Sequence, residues 1–432
     1  MKDRTPQPRG PHRHYAWVIV IASLLVEFFG IGFGFLALVA SYPYFEALGW
    51  SRTTVVFSST LMIATIAVLS PLTGAYMDRR SIRHLFVAGG LVMALGHALL
   101  GIATTPAAFF AGAVVLGVGM AGVTVLPNQV LISRWFASRL GLANGLISAG
   151  TVLGGSLSTL VVTVCSEAYG RRTAFLVLAA CVGVVPPLIG ALVVRDRPSD
   201  LGLEPYDEGE PRARAARTPR AAHGTSTGDV TDVARILRSR TFRLVTMGIL
   251  LATVPCYTSN KHLILYLHDL GLDATHAASV KSLMILVAGA GRLLAGLASD
   301  RFDRHRTLIG IYALSAASFP LVFAMPAEPV LLAYAVLFGL AYGGIMPMMP
   351  IMVVECFGIE ALGTILGVIK VAYDAGAALA PLAAAWAHDR LGDYDLVFAI
   401  NWACALGAVA CAVALDRERR RAAAAEAEDA AA

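Results

Sequence analysis

Long apolar runs separated by short polar segments fill most of this 432-residue chain. A helix needs about 20 apolar residues to cross the hydrocarbon core of a bilayer. Twelve runs reach or approach that length, at 15–44, 53–75, 85–104, 108–133, 140–165, 173–194, 242–267, 277–299, 307–325, 330–354, 362–386 and 396–415. Six precede residue 200 and six follow residue 240. The pattern therefore predicts an all-α membrane protein with twelve transmembrane helices arranged as two six-helix bundles.

The two halves of the chain repeat one another. The motif Gly-x-x-x-Asp-Arg occurs twice, as Gly74, Asp78 and Arg79 and as Gly296, Asp300 and Arg301. The offset is 296 − 74 = 222 residues. Other landmarks pair at this offset without a gap: Tyr44, Leu48 and Gly49 with Tyr266, Leu270 and Gly271, and Gly141, Gly145 and Gly154 with Gly363, Gly367 and Gly376. An internal repeat of this length is typical of membrane carriers built from two related bundles.

Charge is scarce and unevenly placed. Only 15% of residues are charged and 57% are hydrophobic, whereas soluble domains carry about 25% charged residues. Alternating helices bring the basic loops to one side, with Arg79, Arg80, Arg83, Arg134, Arg139, Arg301, Arg304, Arg306 and Arg417 among their residues, whereas Arg171 and Arg172 lie on the opposite side. The positive-inside rule makes that side cytoplasmic and places both termini inside. We therefore expect a multi-pass protein of the cell inner membrane in contact with lipid, without a nucleic-acid partner and monomeric.

Polar segments divide the chain. We predict a cytoplasmic tail at 1–14, an N-terminal bundle at 15–196, a flexible cytoplasmic linker at 197–240, a C-terminal bundle at 241–416 and a second tail at 417–432. The end of the linker, 233–238, has the pattern of an amphipathic helix lying on the membrane. The first apolar run is too long for the core of a signal peptide, so it is interpreted as the first span.

Motifs for catalysis are absent from the sequence. The six cysteines are scattered through apolar runs, with no spacing typical of a disulfide framework or a metal site. No Gly-x-x-x-x-Gly-Lys loop for a nucleotide phosphate occurs. We therefore expect no enzyme, no cofactor and no metal, and a transport process driven by gradients.

Twelve spans, the repeat and the paired Gly-x-x-x-Asp-Arg loop resemble the major facilitator superfamily. The first copy has Ser81 where the family usually has glycine. Local features also resemble its monocarboxylate and oxalate/formate transporter group. They are Tyr15-Ala-Trp17, Trp135-Phe136, Arg139-Leu-Gly-Leu-Ala143, Arg197-Pro-Ser-Asp-Leu-Gly-Leu203 and Gly291-Arg292.

The resemblance implies roles for individual residues. Arg292 matches the arginine of span eight that engages the substrate carboxylate in this group. Ala288 stands where animal monocarboxylate carriers have a proton-coupling aspartate, and Val39 where they have a lysine. These two departures weigh against lactate-type proton symport. The oxalate/formate branch pairs the arginine with a lysine in span eleven, and Lys370 occupies a similar place.

Glu27, Arg292, Lys370 and Asp374 lie well inside predicted spans, where a charge is costly unless it has a function or a partner. Arg292 lies about 10 Å and Lys370 about 12 Å deep, at 1.5 Å of helix rise per residue. At a separation of roughly 8 Å, two such cations repel by about 2 kcal/mol, and a bound anion relieves that repulsion. The alternative is internal neutralisation, with Asp374 one turn from Lys370 and Glu27 against Arg292. A carboxyl that becomes neutral through desolvation also provides a proton-coupling site.

These patterns define two predicted sites. Arg292 and Lys370 bind substrate, with Asp374 or Glu27 coupling protons, and with cavity-lining candidates Tyr257, Tyr342, Tyr373, Asn144, Asn128 and Asn260. The cytoplasmic gate comprises Gly74, Asp78 and Arg79 with Gly296, Asp300 and Arg301, whose carboxylates and arginines bridge helices when the inside is shut.

The sequence thus predicts a secondary transporter that moves a small organic anion, a mono- or dicarboxylate, by proton symport or anion exchange. The alternative is a carrier or exporter of a neutral or amphipathic compound, such as a vitamin or drug, with the intramembrane charges paired internally. A receptor or scaffold is the least favoured class, because nothing resembling a sensor is appended to the spans.

Overall fold

A computed structural model of the chain describes residues 12–40, 45, 49–208, 230–391 and 393–429. Most of the predicted first tail, residues 41–44 of the first run, much of the linker and the last three residues lie outside the described part. Eleven described helices are long and apolar enough to cross a membrane, and one of them, Leu140–Val193, has 54 residues. Gly170 interrupts that helix with φ 80° and ψ 160°. The break divides it into two spans, so the predicted twelve-helix fold is confirmed.

The N-terminal bundle contains helices α1 to α6. Helix α1 comprises His12–Glu27, a π-helical segment Phe28–Leu36 and Ala37–Ala40. The others are α2 (Arg52–Arg79), α3 (Ile82–Ile102), α4 (Pro106–Val123 and Val125–Trp135, broken at Thr124), α5 (140–169) and α6 (171–193, ending in the π-helical Ile189–Val193).

The C-terminal bundle contains helices α7 to α12, after a short helix Val230–Arg238 that contacts α7 and α11. The six are α7 (Arg240–Asp269), α8 (Ala274–Arg301), α9 (Arg304–Ser318, continued by the 3₁₀ segment Phe319–Ala324), α10 (Glu328–Phe357), α11 (Leu362–Leu391) and α12 (Asp395–Asp429). We call the membrane face at the ends of α2, α4, α8 and α12 the basic face, after the arginines of its loops.

Polar residues define where the helices begin. A hydroxyl or carboxylate just before the first turn accepts a hydrogen bond from a backbone N–H that has no partner within the helix. Six membrane helices start in this way, at Ser51, Ser81, Thr105, Ser239, Asp273 and Asp303. The short polar loops therefore fix the positions of the apolar runs along the membrane normal.

Glycines allow the two bundles to meet backbone to backbone at the basic face. Gly74 of α2 lies against Gly363 of α11, and Gly141 of α5 lies against Gly296 of α8. A Cβ atom at any of these positions would overlap the backbone carbonyl of the opposite helix. Small residues permit this close approach of membrane helices. The α2–α11 and α5–α8 crossings therefore set the relative position of the bundles at this face.

Candidate functional site

Three tyrosines from three helices of the C-terminal bundle form a polar cluster. The hydroxyls of Tyr257 on α7 and Tyr373 on α11 lie 3.0 Å apart, and the two rings are nearly perpendicular. The Asn260 amide donates to the Tyr342 hydroxyl of α10 over 3.0 Å. Lys370 Nζ lies 5.7 Å from the centroid of the Tyr373 ring. The structure thus brings together the three predicted tyrosines and the predicted lysine.

Lys370 and Asp374 form a buried ion pair one turn apart on α11. Lys370 Nζ donates to Asp374 Oδ1 over 2.7 Å and to Oδ2 over 2.9 Å, and both residues are buried. A buried charge of this kind needs a partner, because an unpaired one costs several kcal/mol of desolvation. In this conformation Asp374 neutralises the Lys370 ammonium, as predicted by the hypothesis that the intramembrane charges are paired internally.

Arg292 extends from α8 across the boundary between the bundles. Its Nη1 donates to the backbone carbonyl of Ser148 on α5 over 2.9 Å. Its Nε is buried and has no hydrogen-bond partner among the described residues. No described carboxylate lies within ion-pair distance of the guanidinium. This cation therefore keeps an unused donor at the bundle interface.

Glu27 lies on the N-terminal side of this interface, where two helices lose regular α geometry. It is the last residue of α1 before the π-helical segment, and π-helical insertions are frequent at functional sites. Its Oε1 accepts a 3.4 Å bond from the Asn128 amide, just past the break in α4. The Asn128 nitrogen also donates to the carbonyls of Val123 and Thr124, each over 3.0 Å. These contacts fix the orientation of the Asn128 amide.

Buried polar atoms without a hydrogen-bond partner occur in both bundles. Glu27 Oε2 and Asn128 Oδ1 are buried and, like Arg292 Nε, have no hydrogen-bond partner among the described residues. Arg292 and Lys370 both act electrostatically on the Glu27 carboxyl, although neither lies within 4 Å of it in the described structure. Buried polar atoms normally have a partner, so we expect water or a polar ligand at these atoms.

Asn144, also predicted to bind substrate, lies elsewhere. Its amide donates to the carbonyl of Leu140 one turn earlier on α5, near the basic face. The structure does not bring it into hydrogen-bonding contact with the tyrosine cluster.

The gate aspartates bind the starts of helices in the opposite bundle. Asp300 at the end of α8 accepts hydrogen bonds from the backbone N–H groups of Gly141 (2.9 Å) and Leu142 (2.8 Å) in the first turn of α5. We call this contact the α5 latch. A helix N-terminus attracts an anion because its N–H groups are free and its dipole is positive there.

The repeat generates a second contact of the same type, the α11 latch. Asp78 at the end of α2 accepts from Gly363 N (2.9 Å), Thr364 N (2.7 Å) and the Thr364 hydroxyl (2.7 Å) at the start of α11. Arg134 of α4 approaches the Asp78 carboxylate to 4.0 Å and donates to the carbonyl of Met77 over 2.7 Å. Each latch thus joins the N-terminal bundle to the C-terminal bundle at the basic face.

The gate arginines are placed differently from the aspartates. Arg79 and Arg301 are exposed, and in the described part of the chain neither forms an ion pair. The sequence prediction assigned the bridging to both carboxylates and arginines. In this structure the aspartates bridge to backbone amides, which carry no side-chain signal in the sequence.

The chain after α6 packs over the turn between α4 and α5. We call residues 194–208 the strap. Tyr206 N donates to the carbonyl of Trp135 over 2.8 Å, and the Tyr206 carbonyl accepts from Ala137 (2.9 Å) and Ser138 (3.1 Å). Glu208 then receives a 2.8 Å bond from Arg139 Nε, and its backbone N–H donates to the Ser138 hydroxyl over 2.9 Å.

The strap fixes the entry of α5. Arg139, the residue before α5, has a left-handed backbone (φ 56°, ψ 25°), which is unfavourable for any residue with a Cβ atom. Its hydrogen bond with Glu208 raises the pKa of the Arg139 guanidinium. The strap therefore supports the α5 start to which Asp300 binds. Sequence reasoning treated residues after 197 as a flexible linker and missed this function.

Comparison with known proteins agrees with this architecture. The Major Facilitator Superfamily model matches residues 22–260 and 246–431, nearly the whole chain. The protein belongs to this superfamily of membrane transporters, which are not enzymes.

The chain is also similar in sequence to individual transporters. The chain is 25% identical over 410 residues to human Monocarboxylate transporter 11, a match covering 92% of this chain and 82% of that protein. A match at 30% identity over 215 residues to human Monocarboxylate transporter 14 covers 50% of this chain and 41% of that protein. In that second comparison, the match spans less than half of the relative.

Solved structures show the same fold. FucP, a transporter of this superfamily in the outward conformation, superposes with a TM-score of 0.67 at 15% identity, over 93% of this chain and 99% of that chain. The human organic anion transporter MFSD10 superposes with a TM-score of 0.67 at 17% identity, over 94% of this chain and all of that one. Identities this low bear on the fold alone.

Proposed function

We propose that this secondary transporter moves a small organic anion, a mono- or dicarboxylate, by proton symport or anion exchange through alternating access. The proposal rests on the buried Arg292 Nε, which has no hydrogen-bond partner among the described residues, as is also true of Glu27 Oε2 and Asn128 Oδ1 in the other bundle. A carboxylate bound there satisfies the Arg292 donor with a charge-assisted hydrogen bond, which is stronger than a bond between neutral groups. The monocarboxylate relatives support the same substrate class.

Arg292 is the main carboxylate ligand in this proposal, with hydroxyls of the tyrosine cluster around it. Lys370 contributes a second cation once Asp374 no longer neutralises it fully. Protonation of Asp374 weakens the pair and exposes the ammonium to the anion. Such a change couples substrate binding to a proton.

Glu27 provides the second proton site. An ionised Glu27 opposes an arriving carboxylate electrostatically, whereas a protonated one donates a hydrogen bond from Oε2. One anion and one proton then enter together without changing the total charge of the site. In anion exchange, the protonated carboxyl stays unchanged while one anion replaces another.

The basic face is cytoplasmic in this proposal, which places both termini in the cytoplasm and the protein, as a monomer, in the cell inner membrane. Since both latches close that face, the structure corresponds to an outward-facing state. Breaking the latches admits the inward-facing state and releases substrate into the cell or accepts it from there.

The Lys370–Asp374 pair favours a second candidate, a carrier of a neutral or amphipathic compound. Two direct hydrogen bonds neutralise this lysine without any ligand. If the Arg292 charge is balanced by Glu27 in the same way, the site carries no net charge and needs no anion.

Uptake into proteoliposomes separates the two candidates. Labelled carboxylates are offered to wild type, to Arg292→Ala and to the control Arg172→Gln, which removes an exposed arginine. Loss of a charge-assisted bond costs about 1.5–3 kcal/mol, so we expect uptake by Arg292→Ala to fall about 10- to 100-fold. The control should equal wild type, and the primary amides of the same acids should not compete. Equal uptake by Arg292→Ala and wild type, or competition by the amides, contradicts an anion site.

A further inference from the structure

A groove of about 440 Å³ runs along the outer surface of the C-terminal bundle, between α8 and α9. Gly291, Ala295 and Ala298 of α8 and Gly310 of α9 line it, and Leu340 of α10 contributes to its lining. We call it the α8–α9 groove. Gly291 lets α10 approach α8 closely, because a Cβ atom there would overlap the backbone carbonyl of Leu340. At Gly310, no atom lies within 4 Å of the position that a Cβ atom would occupy.

The groove faces the hydrocarbon of the membrane. Two of its lining residues, Leu294 and Phe302, are 54% and 64% exposed, as expected for side chains in contact with lipid. From Gly291 to Phe302 there are eleven residues, or about 16 Å of helix. One leaflet contributes about half of a 30 Å hydrocarbon core. The groove therefore has the length of one acyl chain in the leaflet next to the basic face.

A cation lies at the basic end of the groove. Arg306, another lining residue, is exposed and forms no ion pair within the described residues. Its neighbours differ: Arg304 pairs with Glu355 at 2.9 Å, and Arg419 pairs with Asp303 at 2.7 Å. Arg306, which borders the groove, is thus the one of these three arginines without a carboxylate partner among the described residues. Guanidinium groups match the geometry of phosphate.

We propose that the α8–α9 groove binds an anionic phospholipid, with one acyl chain along Gly291–Phe302 and the phosphate on Arg306. Charge selects the headgroup, since basic pockets between membrane helices on the cytoplasmic side recognise anionic lipids. The length of the α8–α9 groove matches the acyl chain of the lipid. The site lies outside the proposed substrate site, but Gly291 directly precedes Arg292, so lipid binding also stabilises the helix that carries this arginine.

Native mass spectrometry of the purified full-length protein tests the proposal. Phosphatidylglycerol and phosphatidylcholine of equal chain length are added to wild type, and retained lipid is counted. We expect at least one phosphatidylglycerol to be retained about tenfold more strongly than phosphatidylcholine, the ratio produced by roughly 1.4 kcal/mol. Equal retention of the two lipids overturns the proposal.

Variants separate the two parts of the site. Arg306→Gln should abolish the preference for phosphatidylglycerol, Arg306→Lys should preserve most of it, and Arg421→Gln, an exposed control on the same face, should leave it unchanged. Gly310→Leu adds a side chain whose Cβ atom meets open space, and it should lower retention of both lipids. A persistent preference in Arg306→Gln, or unchanged retention in Gly310→Leu, contradicts the assignment. Thermal unfolding of each variant identifies any that fails to fold.

Discussion

The α5 latch and the α11 latch are copies of one contact, yet their surroundings differ. The aspartates are related by 300 − 78 = 222 residues and the first glycines they bind by 363 − 141 = 222. The backbone geometry is the same, with two N–H groups of a helix start bound to one carboxylate. At the next position α11 has Thr364, whose hydroxyl adds a third bond, whereas α5 has Leu142.

The two latches also differ in the contacts that hold the turn before each helix start. The turn before α5 is bound by the strap, through Tyr206 and Glu208. The turn before α11 contains Gly358, with φ 77°, whose N–H bonds back to the carbonyl of Val354 in its own helix. The repeat thus fixes the contact between carboxylate and helix. Different groups support the two copies: the segment joining the bundles supports the α5 latch, and the Thr364 hydroxyl supports the α11 latch.

The largest expected effect comes from removing one aspartate. Asp300→Asn should destabilise the α5 latch by about 1.5–3 kcal/mol, because charged hydrogen-bond acceptors contribute about that much. Hydrogen–deuterium exchange of residues 140–145 should then accelerate about 10- to 100-fold. Asp78→Asn should do the same at residues 362–367. Unchanged exchange in both variants would show that the aspartates do not close the basic face.

Swapping the residue that differs between the copies should produce a smaller change. Thr364→Val removes one of three bonds and should weaken the α11 latch by about 1 kcal/mol, or about fivefold in exchange rate. The reverse substitution, Leu142→Thr, should slow exchange at the start of α5 by a similar factor. If Leu142→Thr accelerates exchange there, the two copies are not equivalent at the backbone level.

The smallest effect is expected from the strap. Glu208→Gln removes a partly exposed ion pair with Arg139, and such pairs contribute about 0.2–1 kcal/mol. Exchange at the start of α5 should rise about two- to threefold, with no change at the start of α11. Combining Glu208→Gln with Asp300→Asn should give a non-additive result, because both act on one helix turn. An equal rise at both helix starts would mean that the strap acts on the whole bundle.

The comparison also shows what the sequence can predict. The apolar runs and the 222-residue offset predict the twelve helices. The spacing of Lys370 and Asp374 by four residues places them on one helix face and predicts that they pair. Helices and pair alike can be predicted because they depend on periodicity within the sequence. The contact of Arg292 with the Ser148 carbonyl depends on how helices of different bundles rotate against each other. The latches depend on backbone N–H groups, which every residue except proline possesses. The repeated Gly-x-x-x-Asp-Arg motif identifies Asp78 and Asp300, but no residue pattern identifies the backbone groups that Asp78, Asp300 and Arg292 bind.

Counterflow of a labelled carboxylate is a direct test of the proposed anion site. Proteoliposomes loaded with unlabelled acid and diluted into labelled acid require no ion gradient, so the signal reports substrate binding and translocation alone. We expect strong counterflow in wild type and its near loss in Arg292→Ala, with folding of the variant verified by its exchange pattern at the two latches. Counterflow of equal size in the two proteins would contradict a carboxylate bound by Arg292.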